Sequence, residues 1–232
     1  MVKGKTVMII CWPSGSEGQD YYDTISKKVM DAGAKKTIPS IHRPTTQAEA
    51  DQFMRDYESA DATAISGGQQ DHLNEPIVNY PEIATAFKNH FYVKFDPFIT
   101  TSASAMYMAT TVLNGSTLDS LPGLGFYPDP DTAIDTHFHD PNKVPREPRL
   151  RAFMAKIKAK FGIGLGHNTG LLVKDGKLGT IFGPGTVEFY QAVTDGPATK
   201  QSYGAGTEFS IHDFKPISIC SALGTQSTAS VK

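Results

Sequence analysis

Cysteine is scarce in this sequence of 232 residues, which contains only Cys11 and Cys220, both within apolar stretches. Two such thiols are typical of reduced, buried residues in a reducing compartment and do not indicate a disulfide framework. The sequence also lacks an apolar run near the roughly 20 residues that a membrane span requires, and its apolar start is too short for a signal peptide. We therefore expect a soluble, cytoplasmic protein with no membrane partner.

A strong charge of either sign is also missing, since the formal net charge is −2. Proteins that bind nucleic acids or anionic membrane surfaces usually carry a basic field, so the balance gives no support to a nucleic-acid partner. Hydrophobic residues make up 39% of the chain, enough for a core. With no repeat or linker, we expect a single domain over residues 1–232, with a frayed tail at about 224–232.

Strand-like and helix-like segments alternate in the first half of the chain. The apolar runs predict strands at 5–11, 35–41 and 61–66, and the segments between them predict helices at about 20–32 and 46–57. This alternation favours a mostly parallel central sheet with helices on both faces. Loops at 12–18, 66–73 and 98–104 should then gather at one rim, where α/β proteins bind ligands.

The second half of the chain changes character. A basic, amphipathic helix is predicted at 149–160, and short strands with turn signals follow it. The clearest signal is Asp175-Gly176 between two apolar runs, which is typical of a β-hairpin. Further strands are predicted within 186–193 and 207–214, so the fold class is α/β with C-terminal β-hairpins.

Four stretches combine glycine or small residues with groups that could carry chemistry: 66–73, 98–106, 135–140 and 162–170. The glycines after the third strand can leave backbone N–H groups open to a ligand. A serine on a sharp strand-to-helix turn, such as Ser102, is held exposed before a helix N-terminus. Taken alone, each is more often an ordinary turn or a capped helix start.

The stretch from Asp135 to Asp140 contains two histidines. If it is a regular strand, Asp135, His137 and His139 share one face. One histidine could then be a general base for Ser102, or both could be metal ligands. A polar strand end with solvated imidazoles is the third interpretation, which we favour for His139. His167, in the last stretch, indicates little alone.

Together and in order, these stretches resemble the cyanophycinase and dipeptidase E family of serine peptidases, which shares its fold with class I glutamine amidotransferase-like proteins. The family pattern is Gly-Gly-x-Gln, Gly-Thr-Ser-Ala-Gly-Ala, Asp-Gln-His-Phe followed by arginines, and Gly-Ile-Asp-Glu-x-Thr. The matching segments here are Gly67-Gly68-Gln69-Gln70, Thr100-Thr101-Ser102-Ala103-Ser104-Ala105, Asp135-Thr136-His137-Phe138 and Gly164-Leu165-Gly166-His167-Asn168-Thr169.

The resemblance implies a three-layer αβα sandwich and a hydrolase of peptide bonds that involve aspartyl residues. By position, Ser102 matches the nucleophile, His137 the general base, and the N–H groups of Gly68 and Ala103 the oxyanion hole. It also implies a small peptide or amino-acid-derived substrate, a homodimer, and no metal or cofactor. The positions that match the substrate-binding residues are Gln69, Gln70, Asp135, Arg146, Arg149 and Asn168.

Three departures from the family pattern matter. The acidic residue that orients the base falls at His167, which predicts a Ser-His-His centre without a carboxylate, a loss that can cost a rate factor of roughly 10⁴ in serine proteases. Thr100 and Ser104 replace the glycines that flank the serine turn, and their side chains could displace Ser102. An insertion at 139–145 makes the register of the arginines uncertain.

The leading hypothesis is therefore a serine hydrolase that acts on a peptide or amide bond of the aspartyl or isoaspartyl type. The first alternative is a pseudoenzyme that binds ligands with the same fold. The second is a cyclase, lyase or transferase that uses the same cleft, including a form in which His137, His139 and His167 bind a metal.

Overall fold

The computed structural model describes residues 1–115, 118–194 and 196–217, so Cys220 and the tail at 224–232 lie outside the described residues. The helices are α1 Gly18–Asp31, α2 Gln47–Glu58, α3 Gln70–Asn79, α4 Pro81–Lys88, α5 Ala103–Met106 and α6 Glu147–Ile157, with a 3₁₀ segment at Trp12–Glu17 and a π-helical turn at Asn89–Val93. The strands are β1 Thr6–Ile10, β2 Lys36–Ser40, β3 Ala62–Ile65, β4 Phe98–Thr100, β5 Thr111–Leu113, β6 Ser120–Pro122, β7 Thr132–Phe138, β8 Phe161–Gly166, β9 Gly170–Lys174, β10 Leu178–Phe182, β11 Thr186–Gln191, β12 Thr199–Gly204 and β13 Glu208–Ser210.

Four parallel strands in the order β2-β1-β3-β4 form the first sheet. Strand β1 is buried on both faces: Val7 and Ile9 pack with Val29 of α1, whereas Met8 and Ile10 join the cluster formed with α2 and α4. Each such aliphatic side chain stabilises the fold by about 1.5–3 kcal/mol relative to exposure. The structure thus confirms the predicted α/β class, with a mostly parallel central sheet between two helix layers.

A second sheet has the order β12-β11-β8-β7, in which β7 and β8 are parallel and the other pairs are antiparallel. The predicted hairpin is also present, because β9 and β10 pair around Asp175 and Gly176. Both turn residues have positive φ, 53° and 62°, as a type I′ turn requires. The edge strand β12 and the small β5–β6 pair were not predicted.

One apolar cluster joins the two sheets. It contains Ile10 and Phe53 from the first sheet and its helix layer, together with Phe138, Phe153 and Tyr190 from β7, α6 and β11. This shared core brings the ends of β4 and β7 together, and the candidate site lies there. Burial also raises the pKa of the Cys11 thiol to about 11, which keeps this thiol protonated and unreactive.

No helix in the described part of the chain combines the length and apolarity needed to cross a bilayer.

Candidate active site

Ser102 lies on a sharp turn between β4 and α5. Its backbone has φ 53° and ψ −120°, a strained conformation for a residue with a side chain. Gly67 packs directly against the turn, since a Cβ at Gly67 would lie 2.8 Å from the Cβ of Ser102. The strained turn and the glycine beside it together hold the Ser102 hydroxyl at the rim of the sheet, as in a nucleophile elbow.

The serine that replaces a family glycine supports this turn. Ser104 is fully buried, and its hydroxyl accepts a hydrogen bond from the Thr101 N–H at 2.9 Å. The same hydroxyl donates to the Ile65 carbonyl at 2.9 Å and so ties the turn to β3. The Ser104 side chain therefore points back into the sheet and away from Ser102.

His137 lies beside Ser102, with 2.6 Å between His137 Nε2 and Ser102 Oγ. At this distance the serine hydroxyl donates to the nitrogen of a neutral imidazole. The register of β7 against β8 shifts between Asp135 and Phe138, and His137 has φ 63°. This bulge breaks the regular alternation, so the expectation that Asp135, His137 and His139 share one face is wrong.

A carboxylate lies at the other nitrogen of the imidazole. Asp140 Oδ2 is 3.5 Å from His137 Nδ1, and only 6% of the Asp140 side chain is exposed. The chain turns back after β7, so that the Asp140 N–H donates to the His137 carbonyl at 3.3 Å. The N–H of Asn142 donates to Asp140 Oδ1 at 2.9 Å and fixes the carboxylate.

His167 was predicted for this third position, and in the structure it also contacts the Asp140 carboxylate. His167 Nδ1 lies 3.3 Å from Asp140 Oδ2, so His167 contacts the carboxylate that stands next to His137. The line of polar groups is therefore Ser102, His137 and Asp140, with His167 behind the acid. Sequence reasoning missed Asp140 because it considered the histidines of 135–140 and took the insertion at 139–145 only as a shift in the arginine register.

The charges around His137 favour its neutral form. Burial lowers the pKa of His137, and the positive charges of Arg146 and Lys143 lower it further against the opposing effect of Asp140. The hydrogen bond from Asn142 lowers the pKa of Asp140 and keeps this carboxylate ionised. At neutral pH the arrangement thus combines a hydroxyl, a neutral imidazole that can accept its proton, and an anion behind the imidazole.

The loops expected to gather at one rim do so. The hydroxyls of Ser14 and Ser66 form a hydrogen bond of 2.7 Å. The backbone N–H of Gln69 donates to the Pro13 carbonyl at 2.8 Å. Gly68 has φ 140°, and a Cβ there would lie 2.0 Å from the Pro13 oxygen, so no other residue fits. Ala103 is the first residue of α5, where helix N–H groups have no partner within the helix.

Three of the predicted substrate-binding side chains are engaged within the protein. Asp135 is fully buried and forms a two-pronged ion pair with Arg149, whose Nε donates to Oδ2 at 2.9 Å. Gln70 donates to the Leu113 carbonyl at 3.4 Å, which links α3 to β5. The side chains of these three residues therefore make contacts within the protein, whereas those of Gln69 and Asn168 are exposed to solvent.

Arg146 is the predicted substrate-binding residue with an unused donor. Its side chain is half-buried, and its Nε is buried without a hydrogen-bond partner among the described residues. Its charge acts on both His137 and Asp140. A positive charge so placed attracts anionic groups toward the Ser102–His137 pair.

Two shallow grooves adjoin the two ends of the polar line. One, of about 290 Å³, includes Gly68 and Gln69 beside the serine turn. The other, of about 360 Å³, includes His139, His167 and Asn168 beside Asp140. Neither groove has Ser102 or His137 among its lining residues, so both lie beside the reactive pair and not over it.

His139 has a partner that the sequence did not indicate. Its Nε2 lies 2.8 Å from Oε1 of Glu188, a buried residue of β11 whose other oxygen accepts a hydrogen bond from the Tyr190 hydroxyl. His139 is therefore a solvated imidazole, with 60% of its side chain exposed, that also pairs with a buried carboxylate. The pairing with Glu188 gives His139 a partner other than Ser102 and Asp140.

No protein-family model and no curated protein sequence matches this chain. Two solved structures are similar to it. A peptidase from an acI-B1 Actinobacterium has a TM-score of 0.64 and 18% sequence identity, over 88% of this chain and 82% of that one. The "Putative Peptidase E Protein" of Listeria monocytogenes EGD-e has a TM-score of 0.59 and 12% identity, over 79% and 88% of the two chains. At these identities the similarity shows a common fold.

Proposed function

We propose that this protein is a serine hydrolase of peptide or amide bonds, in which Ser102 is the nucleophile, His137 the general base and Asp140 the acid that orients the base. The observation that carries the proposal is the 2.6 Å contact between Ser102 Oγ and His137 Nε2, with the buried Asp140 carboxylate at the opposite nitrogen. The peptidase fold of the two similar structures supports the same reaction class.

The geometry supports the usual two-step acyl transfer. Ser102 Oγ attacks the substrate carbonyl carbon while His137 Nε2 takes the hydroxyl proton. The N–H groups of Gly68 and Ala103 are the proposed donors to the oxyanion, and a single donor of this kind contributes roughly 10²–10³ in rate. His137 then protonates the departing amine, and a water molecule activated by the same imidazole releases the acyl group from Ser102.

Asp140 gives this mechanism the carboxylate that the sequence pattern lacked. An anion near Nδ1 holds the imidazole with its proton on that nitrogen and stabilises the imidazolium that forms during the reaction. The proposal of a pseudoenzyme depended mainly on the absence of such an acid. With Asp140 in place, the geometry favours an active hydrolase.

Arg146 supports a proposal for the substrate class. A half-buried guanidinium whose charge acts on the base suits a carboxylate, which arginine can bind in a planar, two-pronged way. Peptides with an aspartyl or isoaspartyl residue next to the scissile bond present such a carboxylate. We therefore propose acidic small peptides as substrates.

Release of amino acids from aspartyl, isoaspartyl and neutral dipeptides, followed by mass spectrometry, tests this function. The wild type is expected to cleave the acidic peptides, and Ser102→Ala to reduce cleavage to the uncatalysed background. Arg146→Met is expected to raise KM for acidic peptides by about tenfold or more, the cost of a charge-assisted contact. Cleavage that persists in Ser102→Ala would contradict the proposal.

After burial, the same arginine is expected to contribute most to the low pKa of the base. A lowered pKa means that His137 stays neutral at pH values below the ordinary histidine value of 6.5. Arg146→Met removes a positive charge and so raises this pKa, which moves the acid limb of Ser102 reactivity to higher pH. The acid limb is measured as the fall in the rate of fluorophosphonate labelling as the pH is lowered. The control is Arg55→Met, which removes an exposed positive charge on α2. An acid limb that stays in place or moves to lower pH in Arg146→Met would contradict the assignment.

A further inference from the structure

Two imidazole nitrogens converge on one carboxylate oxygen at the site. Asp140 Oδ2 lies 3.5 Å from His137 Nδ1 and 3.3 Å from His167 Nδ1. One ligand atom from each of the three residues lies within 4.8 Å of the other two. The acid is buried and fixed by Asn142, while 43% of the His167 side chain is exposed. The cluster is thus preformed and open to solvent on one side.

The spacing of these atoms suits a tetrahedral zinc ion. Zinc binds imidazole nitrogen at about 2.0–2.1 Å and carboxylate oxygen at about 2.0–2.2 Å. At tetrahedral angles such bonds place two ligand atoms roughly 3.3–3.5 Å apart. Both nitrogen–oxygen separations at Asp140 have this length. Two imidazoles with one carboxylate favour zinc over magnesium or calcium, which prefer oxygen ligands alone.

We propose that His137, Asp140 and His167 form a binding site for a zinc-like divalent cation, and that occupancy of this site inhibits the hydrolase. A cation on His137 Nδ1 requires that nitrogen to be deprotonated, so the neutral ring then carries its proton on Nε2. An Nε2–H cannot accept the Ser102 proton. The inhibitory consequence rests on the proposed function, whereas cation binding itself depends only on the three ligands.

Cobalt(II) is the probe for binding, because tetrahedral cobalt absorbs visible light and its displacement by zinc can be titrated. The purified full chain is expected to bind one cobalt ion that zinc displaces. His167→Ala and His167→Gln are expected to weaken binding by at least about tenfold, since each removes one of three ligands. The matched control is His139→Ala, which removes a neighbouring imidazole held by Glu188. Absent cobalt binding in the wild type, or equal affinity in the His167 variants, would overturn the proposal.

Inhibition is measured separately, as fluorophosphonate labelling with and without zinc, each protein being compared with its own zinc-free rate. Zinc is expected to suppress labelling of the wild type and of His139→Ala at least tenfold more strongly than that of His167→Ala. Zinc that binds without slowing the labelling would overturn the inhibitory role. Zinc binding in a protein that the probe never labels would leave the cation site in place and contradict the proposed hydrolase.

Discussion

Replacement of Asp140 by asparagine is expected to slow the reaction of Ser102 with a fluorophosphonate by roughly 10²- to 10⁴-fold, the upper figure being the effect of the equivalent change in a serine protease. An amide cannot stabilise the imidazolium, and its NH₂ group favours the wrong tautomer of His137. The variant keeps the size of the side chain and the hydrogen bond from the Asn142 N–H. The measurement is the second-order labelling rate in the presence of a metal chelator.

Comparison with His167→Ala shows whether Asp140 or His167 orients His137. If Asp140 orients His137, loss of the imidazole behind it is expected to change the labelling rate by only a few-fold. If His167 were the third catalytic residue, His167→Ala would be the slower variant and Asp140→Asn the milder one. That reversed order would contradict the site as described.

Replacement of Arg149 by methionine is expected to lower the free energy of unfolding by about 3–5 kcal/mol, the usual cost of leaving one member of a buried ion pair without its partner. Asp135 is fully buried, and Arg149 supplies its charge partner as well as a hydrogen bond of 2.5 Å to the Gly115 carbonyl. The measurement is urea-induced unfolding followed by circular dichroism.

Two controls show whether the buried charge causes this loss. The double variant Asp135→Asn, Arg149→Met leaves no charge behind and is expected to be more stable than Arg149→Met alone. Lys27→Met removes an exposed ion pair with Asp31 on α1 and is expected to cost about 1 kcal/mol or less. A loss below about 1 kcal/mol in Arg149→Met would contradict a structural role for the Asp135–Arg149 pair.

The elements of the fold that the sequence predicted are those with local signals. Strand β1 is a continuous apolar run, and the β9–β10 hairpin carries its turn residues at Asp175 and Gly176. Strand β12 was missed because its residues, Thr199–Gly204, are polar and mostly exposed at a sheet edge. Apolar and polar residues do not alternate in this segment, so the sequence carries no strand signal. The segment is a strand because it pairs with β11.

The site was predicted in part, for an equally physical reason. Ser102 and His137 stand at the ends of strands whose positions the pattern fixes, and the structure brings them together. Asp140 reaches His137 through a turn that lies outside the matched motifs, so the motifs could not predict this contact. Its signal was present, since an aspartate followed by Pro141 and Asn142 directly after a strand is typical of a tight turn closed by the aspartate side chain.

Mass spectrometry of the protein after treatment with a fluorophosphonate shows directly whether Ser102 is an activated nucleophile. One covalent adduct is expected, located on Ser102, that is absent in Ser102→Ala and forms at least about 10²-fold more slowly in His137→Ala. A folded wild-type protein that remains unlabelled, or an adduct on Ser102 that forms equally fast without His137, would contradict this expectation.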